Sequence, residues 1–397
     1  MSFASVAPSP ARKRMALTLA AVLAASGLAT LSMPAQSEAR PLEASCGNLP
    51  GKKVNESFLT SAEVVDSLRK IEKNSKGRLD LDVAGYTNNG KPIHTARVGE
   101  GDTVVFIESQ IHGNEPHGTV ALLEVLKTLT NDSKRSAEIR KAVTVVALPQ
   151  LNGDGADLQQ RQNSMTWADV VEDFPQLAGA PRAWNFNTAN GGFDVNRDFH
   201  PDLDFVPQAS DFPGNSASTG WYITPEARTS RDVYKALEQE FGTVDIFVDL
   251  HNQGPCYTDD ALEDYSTLSI SARFIADPTQ FGDWPKFDYD ASRRVNVAVY
   301  DALQGNNSPQ SKVTLYPQNT NLPGTALGAF ALRGSATILF ETIGMTQTTA
   351  QKMNGQLAKQ VETGLTAILD SVTDGTLDDI DPERYELIPE RRNVPRN

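Results

Sequence analysis

The residues best able to do chemistry open with His112-Gly113-Asn114-Glu115, a His and a Glu with two residues between them. An imidazole nitrogen and a carboxylate oxygen at this spacing can reach one divalent ion, and the mixture of N and O donors suits zinc. The spacing is common by chance, so its weight depends on partners elsewhere. His251 ends the apolar run 244–250, and Glu341 follows the apolar run 336–340. His112, Glu115 and His251 then make a two-His, one-carboxylate set with a fourth position open, as in catalytic zinc sites, and Glu341 is a carboxylate able to move a proton. Singly, each has a plainer reading: a satisfied buried histidine, a Glu opening a helix, an ion-paired carboxylate. Together, at the ends of strand-like runs, they predict one site.

The elements that must position these residues can be followed along the chain. Thr60-Ser61-Ala62-Glu63 caps a helix running to about Lys73. Residues 78–83 and 92–98 alternate like strands around a turn at Asn88-Asn89-Gly90. Residues 103–109 predict a buried strand delivering His112, and 118–129 show helical spacing. Further strands are expected at 142–148, 244–250 and 336–340, and further helices at 224–241, 291–303 and 349–369. This alternation predicts an α/β fold: a mixed, largely parallel twisted sheet covered by helices on both faces, with the active site at the strand C-terminal ends. Segments 156–193 and 200–220 lack a regular pattern and are expected to wall the cleft.

With 397 residues and 39% apolar content, the chain can bury a large core. A formal net charge of −14 argues against nucleic acid as a partner. Arg12-Lys13-Arg14, the apolar residues 15–31 and small residues up to Ala35 or Ala39 predict a secretory signal peptide over 1–39. Secreted or periplasmic localisation follows, with no membrane association after signal removal. A lead-in segment over 40–56, a catalytic domain over 57–373 and a charged surface tail over 374–397 complete the expected organisation. Cys46 and Cys256 could form one disulfide in an exported protein.

Several motifs recur in a familiar order. They are His112-Gly113-Asn114-Glu115-Pro116, Asn152-Gly153-Asp154-Gly155, Arg161-Gln162-Asn163, the block from Phe193 to Phe199, Thr224-Pro225-Glu226, Asp249-Leu250-His251 and Phe340-Glu341. This series resembles the zinc metallocarboxypeptidase family of the carboxypeptidase A type. The resemblance implies one zinc per chain on His112, Glu115 and His251, with Glu341 as general base and acid. It implies Arg161 as a catalytic group at the oxyanion, and Asn196 and Arg197 as holders of the substrate's terminal carboxylate. Tyr316 is carried over as a substrate-binding residue, which in the family is mobile. The Gly324-Thr325 step is followed by Ala326-Leu327, which fits an apolar or mixed side-chain pocket, while Arg333 leaves an acidic preference open. The expected substrate is a peptide or acylated amino acid. Two other readings share the fold: a zinc deacylase or cell-wall peptide amidase, and an inactive peptide-binding homologue, against which the presence of Glu341 beside all three ligands argues. The sequence leaves the oligomeric state unknown.

Overall fold

A computed structural model of the chain describes residue 46 and residues 58–284, 286–305, 309–344 and 353–393. The expected signal peptide lies outside the described residues. The strands are β1 (Leu79–Tyr86), β2 (Pro92–Val98), β3 (Thr103–Ser109), β4 (Val143–Leu148), β5 (Ile246–Gln253), β6 (Cys256–Tyr257), β7 (Tyr265–Ser266), β8 (Leu268–Ser271), β9 (Val313–Leu315) and β10 (Ala336–Ile343). The helices are α1 (Ser61–Asn74), α2 (His117–Leu129), α3 (Lys134–Ala142), α4 (Gly153–Leu158), α5 (Trp167–Asp173), α6 (Pro225–Phe241), α7 (Tyr289–Gln304), α8 (Ala326–Leu332) and α9 (Asn354–Thr373).

Eight strands form one sheet in the order β1-β2-β4-β3-β5-β10-β8-β9. Its centre, β4-β3-β5-β10, is parallel; β1, β2 and the β10–β8 pairing are antiparallel. The central strands are buried on both faces, so their sequences are nearly continuous in Val, Ile and Phe rather than alternating. Successive side chains still go to opposite faces. Val105, Ile107 and Val248 join α2, α7 and α9 in one core, while Val104, Phe106 and Phe247 join α6 and α8 in another. Tyr234 of α6 stacks on Phe330 of α8 at 4.0 Å within that second core. Among the described residues no helix is long and apolar enough to cross a membrane.

The order around β3 places the site. The chain leaves β3 for β4 on one side and returns as β5 on the other, so the crossovers part between β3 and β5. Ligands of open α/β sheets sit in the crevice that this divergence leaves at the strand C-terminal ends. His112 follows β3 and His251 lies near the end of β5, both at that crevice.

Three features of the fold go beyond the expectations. The polar stretch after Ser133 forms α3, capped by the Ser133 hydroxyl, although it has too few apolar residues to show a clear period. The segments at 156–193 and 200–220 are irregular for the most part but contain α5. They contribute Met165, Val170, Leu177, Phe193 and Phe212 to a satellite core that Trp221 and Ile223 complete. The stretch after α9, expected as a charged surface tail, packs back onto the domain. Tyr385 is fully buried, Ile388 joins the main core, and Arg391 is 6% exposed. Cys46 and Cys256 are joined as a disulfide, tying the lead-in segment to β6.

Candidate active site

The loop that carries His112 is held from beneath. Asn152 donates from Nδ2 to the Ile111 carbonyl at 3.1 Å, and its Oδ1 accepts the Gly155 N–H at 2.8 Å as the cap of α4. Gly113 lies so close to this turn that a Cβ would sit 1.9 Å from the Gly155 carbonyl carbon. Any side chain there would push the loop, and with it His112 and Glu115, away from the sheet.

Three donor atoms converge above the crevice. His112 Nδ1 lies 3.0 Å from Glu115 Oε2 and 3.0 Å from His251 Nδ1, and His251 Nδ1 lies 2.9 Å from Glu115 Oε2. Ligands around a tetrahedral zinc at about 2.0–2.1 Å are themselves separated by roughly 3.3 Å, so this triangle is close to the required size. The other face of each imidazole is also committed. His112 Nε2 meets Asp194 Oδ1 at 3.1 Å, and His251 Nε2 meets Asp249 Oδ2 at 2.8 Å. An Nε2–H donated to a carboxylate leaves the Nδ1 lone pair pointing inward, the tautomer a metal ligand needs. His112, Glu115 and His251 are all buried. The donor set and its outer partners fit a zinc ion.

Charge in the site follows from this crowding. Burial works against the Glu115 carboxylate, yet His112 and His251 hold its pKa well below the usual range. Burial likewise opposes the His251 imidazolium, but Asp249 and Glu115 raise its pKa well above the ordinary value. A divalent cation would take over the role of that proton. Glu341 stands on β10 directly opposite His251 in the parallel register. Its Oε2 is buried and has no hydrogen-bond partner among the described residues. Burial pushes the Glu341 pKa up, and the neighbouring Glu115 charge adds to the rise. A desolvated carboxylate with a vacant lone pair is the chemical form a general base requires.

The remaining expected residues gather around the same crevice. Arg161 donates from Nε to Asp194 at 3.0 Å and from Nη1 to Glu115 Oε1 at 3.4 Å. Arg197 closes the short turn Val195–Arg197 and directs Nη1 at the Asn196 carbonyl, 2.5 Å away. That turn is anchored by Asp198, which accepts from the Trp221, Ile223 and Thr224 N–H groups while burial pushes its carboxyl up to about 6. Asn196 is differently placed from the expected carboxylate clamp. Its Nδ2 turns to Asp249 at 3.3 Å and its Oδ1 accepts the Ala326 N–H at 2.9 Å, so both ends of the amide are engaged within the protein. Tyr316 follows β9, half-buried, with Glu341, Arg391, Arg197 and Arg161 as its charged neighbours. Arg333 does not line a pocket at this site: it is paired with Glu238 and donates to the Pro201 carbonyl at 2.7 Å. Leu327 is buried in the core beside α6.

Two side chains near the site have no role assigned by the motifs, although Asp194 lies within the block from Phe193 to Phe199. Asp194 lies 82 residues from His112, and no spacing rule links them. Arg391 belongs to no motif at all. Asp249 carried a usable signal, because residues two apart on a strand share a face.

Residues 64–258 match the family described as zinc carboxypeptidase, a span that contains all three ligand candidates together with Arg161, Asn196 and Arg197. The chain matches the zinc carboxypeptidase family over 195 of its 397 residues. Solved structures agree on the fold. A metallo-carboxypeptidase from Burkholderia cenocepacia aligns at 15% identity with a TM-score of 0.50, covering 80% of this chain and 70% of that one. Carboxypeptidase A from Helicoverpa armigera aligns at 14% identity and a TM-score of 0.52, covering 81% and 75%. Bovine thrombin-activatable fibrinolysis inhibitor aligns at 13% identity and 0.54, covering 81% and 99%. At such identities these neighbours support the architecture, and the chemistry rests on this chain's own residues.

The role of Asp194 gives a first prediction. Asp194→Asn should lower zinc affinity roughly 10–100-fold, because the amide cannot hold the His112 tautomer as a carboxylate does. Competition against a chromogenic chelator measures this, and an unchanged affinity would show that Asp194 only supports Arg161.

Proposed function

We propose that this protein is an exported, zinc-dependent carboxypeptidase that releases the C-terminal residue of a peptide, with one zinc per chain. The observation that carries the reading is the convergence of His112 Nδ1, Glu115 Oε2 and His251 Nδ1 within 3.0 Å of one another, beside Glu341, whose buried Oε2 has no hydrogen-bond partner among the described residues. A zinc ion held there would bring the pKa of water down to about 7 and polarise the scissile carbonyl. Glu341 takes the proton of the attacking water and later delivers it to the leaving amine, which its raised pKa suits. Arg161 offers a fixed guanidinium to the developing oxyanion. Arg197 binds the substrate's terminal carboxylate as a charge-assisted pair, and the engaged amide of Asn196 holds His251, Asp249 and the start of α8 in register. Export is supported by the basic and apolar N-terminal pattern and by the Cys46–Cys256 disulfide, a bond that persists in oxidising compartments.

The test compares one peptide as free acid and as C-terminal amide. Amidation removes the anion that Arg197 recognises and leaves a half-buried guanidinium without its partner, so most activity should be lost. Arg197→Ala should impair the free acid strongly and the amide far less, because both changes delete one interaction. Equal cleavage of acid and amide by the native protein would overturn the carboxypeptidase reading in favour of an endopeptidase or deacylase.

A further inference from the structure

The C-terminal segment closes around one residue of the cleft. Pro389 accepts the Leu315 N–H at 2.7 Å, and Arg391 N donates back to the Leu315 carbonyl at 3.3 Å, so residues 389–391 run alongside the end of β9 immediately before Tyr316. Arg392 exchanges two backbone hydrogen bonds with Tyr257, at 2.8 and 2.9 Å, pinning the same segment to β6. Beyond Tyr316 the loop is gripped again. The fully buried Tyr385 donates from its hydroxyl to Gln318 Oε1 at 2.8 Å, and the Gln318 amide donates to the Tyr316 carbonyl. The Tyr316 ring itself stacks with Phe274 at 5.6 Å and carries the Arg391 guanidinium at 4.2 Å from its centroid. Arg391 is fixed in turn by Nη1 donating to Gln253 Oε1 at 2.6 Å, two residues beyond His251 on β5.

We infer that Arg391 is a positioning residue of the cleft, holding the Tyr316 ring beside Glu341 so that the tyrosine is preset by the C-terminal segment. A planar guanidinium over a ring is attractive through the ring's quadrupole, and the attraction grows as both are desolvated. Arg391 is 6% exposed, and the segment that delivers it is tied to the Leu315 backbone before Tyr316 and, through the Tyr385 hydroxyl, to the Gln318 side chain after it. The cation therefore cannot follow the ring outward: leaving the cleft would cost the Tyr316 ring both its guanidinium contact and its Phe274 stack. The closing of a free tyrosine over substrate draws on binding energy, and a preset tyrosine removes that cost from KM.

The activity arm of the test rests on the carboxypeptidase reading; a spectroscopic arm does not. Full-length protein labelled with 3-fluorotyrosine has nine tyrosine signals, and Tyr316→Phe identifies the one at issue. Arg391→Met should shift or broaden that fluorine line, with Arg391→Lys moving it part of the way, at unchanged zinc content. On a free-acid peptide Arg391→Met should lower kcat/KM roughly tenfold, chiefly through KM. In a Tyr316→Ala background the same change should matter by less than roughly twofold, since the interaction is already gone. A Tyr316 line that does not move, or an equal loss in both backgrounds, overturns the inference. If native protein cleaves no peptide, the proposed function fails and the fluorine line alone decides this one. If Arg391→Met does not fold, Gln253→Ala, which removes the guanidinium's amide partner, is read in the same way.

Discussion

Glu341→Gln is expected to leave the fold and the zinc content intact while lowering turnover roughly 10²–10⁴-fold, the usual contribution of a positioned general base. The substitution keeps nearly the same volume and removes a negative charge at a position where burial already disfavours that charge. Structure therefore tolerates it, and the loss falls on proton transfer. Glu341 is not among the three residues that converge on the metal position, so zinc affinity should change little. Steady-state kinetics on a free-acid peptide, with zinc measured in the same sample, checks the prediction. A zinc-loaded, folded variant with near-native turnover would remove Glu341 from the chemistry.

His251→Ala should have the largest effect on the metal. It deletes one of three donors and also strips Asp249 of its imidazole partner, leaving a fully buried carboxylate whose remaining side-chain partner among the described residues is Asn196. Zinc affinity should fall by more than the roughly 10–100-fold expected when only an outer partner is lost. Stability should fall as well, on the order of 3–5 kcal/mol, as when a buried pair loses one member. Activity should follow zinc occupancy downward and recover little at high zinc. A variant that keeps stoichiometric zinc at native affinity would show that His251 is a structural histidine.

The parts of the site that strand logic can reach were legible in the sequence. His112, His251 and Glu341 each follow a run of buried β-formers, and the parallel register that sets Glu341 opposite His251 follows from both strands ending at one edge of the sheet. What strand logic cannot reach is pairing across long loops. Asp194 sits at the end of an irregular segment whose path is decided by the satellite core around Phe193 and Trp221, so its contact with His112 depends on packing that no local period reports. The C-terminal segment was hidden for a different reason. Its Asp and Glu content masks three inward residues, Tyr385, Ile388 and Arg391, whose even spacing of three is neither the alternation of a strand nor the mixed three-and-four spacing of an amphipathic helix. Arg333, read as a possible pocket residue, is captured by Glu238, a partner 95 residues earlier on α6.

The most direct measurement of the central claim is a zinc titration of the full-length protein after exposure to a strong chelator, following release of the terminal residue from a free-acid peptide. The account predicts negligible release without added metal, a linear rise with zinc, and a plateau at one zinc per chain, with no such rise for His251→Ala. Full release from protein shown to be free of metal, or activity that does not track zinc added to the native chain, would contradict it.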